Sequence, residues 1–148
     1  MTNFEIALRT PLIMRVPWKK ASVGRVTDVL AEAVDLYPTL AALVGLPPPR
    51  DEGEGINGTS LEAVFDAPAG GEGGRHLELK AAAFAQFAKP YRARPFAFWP
   101  TPLRNETEVM GYTVRSDLWR YTCWFGFDKK RIVPVVDDIL GRELYVFQ

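Results

Sequence analysis

Two side chains on which many catalytic sites depend are almost missing from this sequence. It holds one cysteine, Cys123, and one histidine, His76. A lone thiol excludes an internal disulfide and any zinc site built from several thiolates. A lone imidazole excludes a two-histidine metal helix, and His76 follows a glycine-rich loop, where a surface histidine is the plainer reading. No apolar run reaches the roughly 20 residues that cross a bilayer. The first residues do not form a signal peptide, so the compartment stays open. Neither charge sign is in excess: 18 basic side chains balance 18 acidic ones. That balance argues against a nucleic-acid partner, and no charge block is long enough to be a tail. The glycines at 70–74 lack the Lys-Ser/Thr of a phosphate-binding loop, and Ser22, Ser60 and Ser116 lack a Gly-x-Ser-x-Gly context.

What is present reads as globular: 148 residues, 47% hydrophobic and 24% charged, suffice for one domain with its own core. The stretch Val34-Asp35-Leu36-Tyr37-Pro38-Thr39-Leu40-Ala41-Ala42-Leu43-Val44-Gly45-Leu46 predicts a packed helix near 35–45 with both ends marked. Asp35 suits the N-cap and Pro38 the first turn. Leu36, Leu40, Leu43 and Val44 share a face at helical spacing. Gly45 suits a left-handed terminus, and Pro47, Pro48 and Pro49 prevent continuation.

Around that helix the elements are short. Leu12–Val16 is an apolar run between Pro11 and Pro17, and Val26–Leu30 is a second strand candidate. Residues 18–25 read as an exposed loop. Thr59-x-x-Glu62 forms a capping-box pattern that opens a short helix over 61–65. Residues 67–74 are a glycine-rich connection, and 77–87 predicts a strand. Residues 88–105 hold Pro90, Pro95, Pro100 and Pro102 among aromatics and cations, an ordered loop longer than a connection needs. Residues 109–125 form the clearest hairpin, turning at Ser116-Asp117. Met110, Tyr112 and Val114 share a face in one arm, and Trp119, Tyr121, Cys123 and Phe125 in the other. On that face Cys123 reads as a buried structural thiol. Residues 128–141 are indeterminate, with Pro134 interrupting any helix. The sequons at Asn57 and Asn105 carry no information without an export signal.

Several of these stretches, in this order, resemble the type I sulfatases of the alkaline-phosphatase superfamily. They are Thr2-Asn3-Phe4-Glu5 with Arg9-Thr10-Pro11-Leu12-Ile13, then Val34–Leu40, Gly45-Leu46-Pro47 and Gly58-Thr59-Ser60-Leu61. Ala83–Phe87, Met110–Arg115, Arg120-Tyr121-Thr122 with Trp124, and Arg142-Glu143-Leu144-Tyr145 resemble the iduronate-2-sulfatase branch. The resemblance implies an α+β chain, the C-terminal piece of an α/β sulfatase fold. Residues 1–46 would supply the last strand and helix of the large domain, and 47–148 most of the small antiparallel subdomain.

It also implies that the chemistry lies elsewhere. The family nucleophile is a formylglycine made from Cys/Ser-x-Pro/Ala-x-Arg, and its metal, calcium, is held by acidic residues. These, with the last catalytic lysine, would all precede Met1, so no catalytic or metal residue is expected here. Cys123 has Phe125 and Phe127 where the motif needs Pro/Ala and Arg. Asp137-Asp138 sits at the wrong end to be the metal pair and reads as a solvated turn. The candidate contacts are in the 88–105 loop: Lys89, Trp99 and Arg104, beside Arg92 and Arg94. Cations for carboxylate and sulfate, with an aromatic platform for a ring, suit an anionic sugar. The competing reading is a structural loop whose aromatics cover a core. A sulfated carbohydrate and an N-terminal sulfatase half are thus the expected partners. The alternatives are a non-catalytic binding module for anionic sugars and the second half of a split enzyme. Full-length relatives are often exported or lysosomal. Without the large sheet, the apolar face of 12–44 would stand exposed.

Overall fold

The marked helix forms. A computed structural model of the chain describes residues 4–48, 50, 52–53, 57–67, 79–89 and 106–147. Its helices are α1 (Glu5–Leu8), α2 (Leu36–Leu43) and α3 (Glu62–Asp66). Its strands are β1 (Ala83–Lys89), β2 (Val109–Arg115), β3 (Trp119–Asp128) and β4 (Val133–Val146). This is an α+β arrangement in two units, one of residues 12–83 and one of residues 1–11 with 84–148.

In the first unit α2 ends as expected. Gly45 has φ +73°, its amide donates to Ala42 O, and the Leu46 amide reaches Ala41 O at 2.9 Å. That pair of bonds satisfies the last carbonyls of the helix. Its start differs from the expectation. A 3-10 turn, Ala33–Asp35, precedes α2, so the N-cap role passes to Glu32 and Asp35 becomes its capping-box partner. The Asp35 carboxylate accepts from the Glu32 amide at 2.7 Å and is wholly buried.

The same carboxylate collects two further elements. Its Oδ1 accepts the Thr59 amide at 2.7 Å, and Lys80 Nζ donates to both oxygens at 2.8 Å. One turn on, Thr39 Oγ1 donates to Asp35 O and accepts the Leu61 amide at 2.9 Å. Residues 59 and 61 are thereby held by two helix side chains four positions apart. Gly58 is obligatory here, because a Cβ would lie 2.0 Å from Val34 O. The expected Thr59–Glu62 capping box does not form, since the Thr59 amide is engaged by Asp35. Ser60 Oγ accepts the Glu62 amide instead.

Neither Leu12–Val16 nor Val26–Leu30 is a strand. A strand is held in a ladder of bonds to a neighbour, and neither segment belongs to the one sheet among the described residues. Val16 instead packs with Leu43 and Phe65, flanked by Met14 and Val64. The loop after it is tied down: Trp18 Nε1 donates to Leu43 O at 3.2 Å, and Lys19 bridges Glu62 and Asp66 at 3.1 and 2.6 Å. The expected apolar face of α2 is only partly covered. Leu43 is buried, whereas Leu40 and Val44 are exposed and Pro38, Thr39 and Ala41 are buried in their place.

In the second unit the strands form one antiparallel sheet, ordered β1-β2-β3-β4. The expected hairpin is β2–β3, with Arg115 opposite Arg120 and the Ser116 amide closing onto Trp119 O at 2.8 Å. The indeterminate stretch 128–141 becomes most of β4, which tolerates Pro134 because it is an edge strand. Asp137-Asp138 lies within β4 at a bulged stretch rather than in a turn, and Asp138 occupies the space where a Cβ on Gly126 would sit.

Removing the Asp35 carboxylate leaves the Glu32 and Thr59 amides without their acceptor and Lys80 with Glu32 as its remaining carboxylate partner. Asp35→Ala is expected to cost about 3–5 kcal/mol, measured by urea unfolding. Burial alone would lower the Lys80 pKa, but its bonds to Asp35 and Glu32 outweigh this and raise it above the ordinary lysine value. Its contribution is therefore fully present below that ordinary value and is lost as the pH climbs through the raised folded-state value. Alkaline unfolding of the wild type, absent in excess from Lys80→Met, checks the sign.

Candidate functional site

Of the three residues singled out for substrate contact, Lys89 ends β1. Trp99 and Arg104 lie outside the described residues, as do Arg92, Arg94 and His76. Lys89 is half-buried, and its ammonium sits 3.7 Å from the centroid of the Trp124 ring. Trp124 is buried in β3, and its indole N–H donates to Glu143 Oε1 at 2.9 Å. The other oxygen of Glu143 accepts from the Tyr145 hydroxyl at 3.2 Å. So β1 supplies a cation, β3 an aromatic floor, and β4 the carboxylate that fixes the floor.

Burial lowers the Lys89 pKa, and the Glu143 charge opposes that fall without cancelling it. An ammonium stacked on a ring is partly stripped of water, and the ring offers its N–H donors no strong hydrogen-bond acceptor. Such a group binds anions by charge-assisted hydrogen bonds.

Alternation along β3 explains the placement. Arg120, Thr122 and Trp124 point to one face and Trp119, Tyr121 and Cys123 to the other, by the two-residue period of a strand. The face carrying Trp124 is the better buried. Thr113 and Thr122 meet across it, hydroxyl to hydroxyl at 2.8 Å. Arg115 and Arg120, paired directly across β2–β3, both bond to Glu5 Oε2 from α1. The Phe147 ring covers both guanidiniums, at 4.1 and 5.7 Å. The opposite, more apolar face keeps Trp119, Tyr112 and Tyr121 partly exposed, although Cys123 on it is buried as expected. Trp124, Glu143 and Tyr145 were missed as site residues. Their signal was the polar parity of β3 and the spacing of Glu143 and Tyr145, which aim at one face.

Among the described residues no three His, Cys, Asp or Glu side chains are grouped to hold a metal ion. Ser22, Ser60 and Ser116 each bond to nearby backbone rather than to a base.

No family model matches the chain. Individual proteins do. It is 31% identical to mouse iduronate 2-sulfatase over 182 aligned positions, covering 97% of this chain and 32% of that protein. It is 29% identical to the human iduronate 2-sulfatase over 185 positions, with the same two coverages. The chain is a sulfatase relative. It spans about a third of the length of the curated relatives it matches. The match runs along nearly all of the chain, in keeping with a C-terminal piece of the sulfatase fold. A formylglycine and calcium requirement fits those full-length relatives.

The Lys89 ammonium should titrate below the ordinary lysine range in a side-chain nitrogen NMR titration. Glu143→Gln should lower it further, because the carboxylate is what opposes the effect of burial. Since the folded form gives up this proton first, Lys89 adds stability as the pH rises from its lowered value to the ordinary one, opposite in sign to Lys80.

Proposed function

We propose that this sulfatase relative forms one wall of the substrate pocket of a sulfate ester hydrolase acting on a sulfated carbohydrate, as the iduronate 2-sulfatases' name suggests for them. The reading rests on the half-buried Lys89 ammonium, held on Trp124 while Glu143 fixes the indole. A cation on a braced aromatic suits the carboxylate or sulfate of a sugar whose ring lies near. The chain runs directly from Lys89 into a segment carrying Arg92, Arg94, Trp99 and Arg104, the same chemistry repeated. Nucleophile and metal would come from sulfatase polypeptide that this chain does not contain, since no Cys/Ser-x-Pro/Ala-x-Arg occurs in it.

The test is calorimetric titration of the chain with a sulfated uronate disaccharide and with its desulfated counterpart. The sulfated sugar should bind more tightly, and Lys89→Ala should weaken it about tenfold, the loss of one charge-assisted hydrogen bond. Arylsulfate hydrolysis by the chain alone should stay at the buffer rate. Equal binding by Lys89→Ala, or sulfate release by the isolated chain, would refute the assignment.

A further inference from the structure

The turn between β3 and β4 carries three consecutive cations, Lys129, Lys130 and Arg131, in a chain with no net charge. Its backbone is braced. Asp128 Oδ1 accepts the Lys130 and Arg131 amides at 2.8 and 3.1 Å, and Asp128 O accepts the Ile132 amide at 2.7 Å. Ile132 stands at φ +60°, a left-handed conformation that a β-branched residue adopts only under constraint. The Asp128 carboxylate thus serves the backbone more than the cations. Arg131 Nε lies 3.9 Å from its other oxygen, and the Arg131 side chain is 83% exposed. Lys130 is exposed and makes no ion pair among the described residues. Lys129 is closely neutralised, by Glu108 at 2.6 Å.

Glu108 also locates the turn relative to Lys89. Its amide donates to Lys89 O at 3.1 Å and its carbonyl accepts the Phe127 amide at 3.0 Å, so the three residues form one row across the sheet. Lys130 follows Phe127 by three residues, which places it up to roughly 10 Å beyond that row at the rise of a strand. Two rings of a sugar chain span such a distance. We propose that Lys130 and Arg131 form a second anion subsite, which takes a sulfate of a sulfated polysaccharide further along the chain from the sugar held at Lys89. The inference rests on the sugar reading of Lys89 and deepens it, from a single ring to an extended chain. A guanidinium and an ammonium are the groups that bind sulfate oxygens, and a braced turn gives up little freedom in doing so. Nucleic acid is the poorer fit. Basic residues do not exceed acidic ones, and residues 128–133 hold no aromatic side chain on which a base could stack.

The test is calorimetric titration of the full chain with a sulfated uronate disaccharide and with an octasaccharide of the same repeat. Lys130→Ser with Arg131→Ser should weaken the octasaccharide about tenfold, as the loss of two exposed charge contacts implies, and leave the disaccharide unchanged. Because both side chains are exposed, the melting curve of that variant should match the wild type. Lys89→Ala should weaken both sugars. Failure of the sugar reading shows as a disaccharide indifferent to Lys89→Ala; failure of the present inference shows as an octasaccharide indifferent to the turn variant. The proposal is also overturned if the desulfated octasaccharide binds equally well, or if a single-stranded DNA of equal charge binds as tightly as the sulfated octasaccharide.

Discussion

A single carboxylate with no exposure to water holds one half of this chain together. Asp35 is surrounded by donors from three places in sequence: the Glu32 amide, the Thr59 amide and the Lys80 ammonium. Removing a carboxylate from water is costly, and the cost is offset only when each lone pair finds a partner. Here the partners are themselves backbone and side-chain groups that would otherwise be stranded. The ionic centre therefore chooses one chain path among several that apolar packing alone would allow. The small core of Val16, Leu43 and Phe65 would not fix that path by itself.

This arrangement gives physical content to two sequence stretches that at first carry only resemblance. Asp35 and Thr39 lie one helical turn apart, and Thr59 and Leu61 lie two apart on an extended segment. Those two spacings match, so the amides of one meet the oxygens of the other. Gly58 precedes them because backbone passes too close to Val34 O for any side chain. A Val-Asp-Leu-Tyr-Pro-Thr stretch followed by Gly-Thr-Ser-Leu is thus a lock and its counterpart, and needs no catalytic explanation.

Much of the fold was legible for local reasons. The end of α2 at Gly45 and the β2–β3 hairpin are set by residues near in sequence, and both formed where the pattern placed them. The misses are all non-local. The N-cap role passed from Asp35 to Glu32 because Thr59 and Lys80, 24 and 45 residues away, compete for the same carboxylate. The strands expected at 12–16 and 26–30 had suitable residues but joined no sheet among the described residues. β4 hid behind Pro134, whose veto applies to helices and central strands but not to an edge. At the candidate site, Lys89 was visible because it adjoins a cation-rich segment. Trp124 and Glu143 were not, because nothing local relates residues 89, 124 and 143; the sheet does. The apolar parity of the hairpin also drew attention to the wrong face. The face that is better buried carries Arg115, Arg120 and two threonines, made tolerable by Glu5 between the guanidiniums.

Two lysines show how differently one chain can treat a partly buried charge. Lys80 and Lys89 are both partly withdrawn from water, yet their pKa values move in opposite directions. Lys80 has two carboxylates in hydrogen-bonding contact, so its charge is already neutralised and it can offer little to a ligand. Lys89 has a ring beneath it, and the Glu143 carboxylate nearby is engaged by the Trp124 indole and the Tyr145 hydroxyl. A ring attracts a cation but accepts none of its protons in a strong hydrogen bond. The folded protein thus bears the desolvation of Lys89 without the compensation that Lys80 receives. An anion arriving at Lys89 would supply it, and would raise the pKa that burial had lowered. That asymmetry, rather than the count of nearby cations, is what sets Lys89 apart from Lys80.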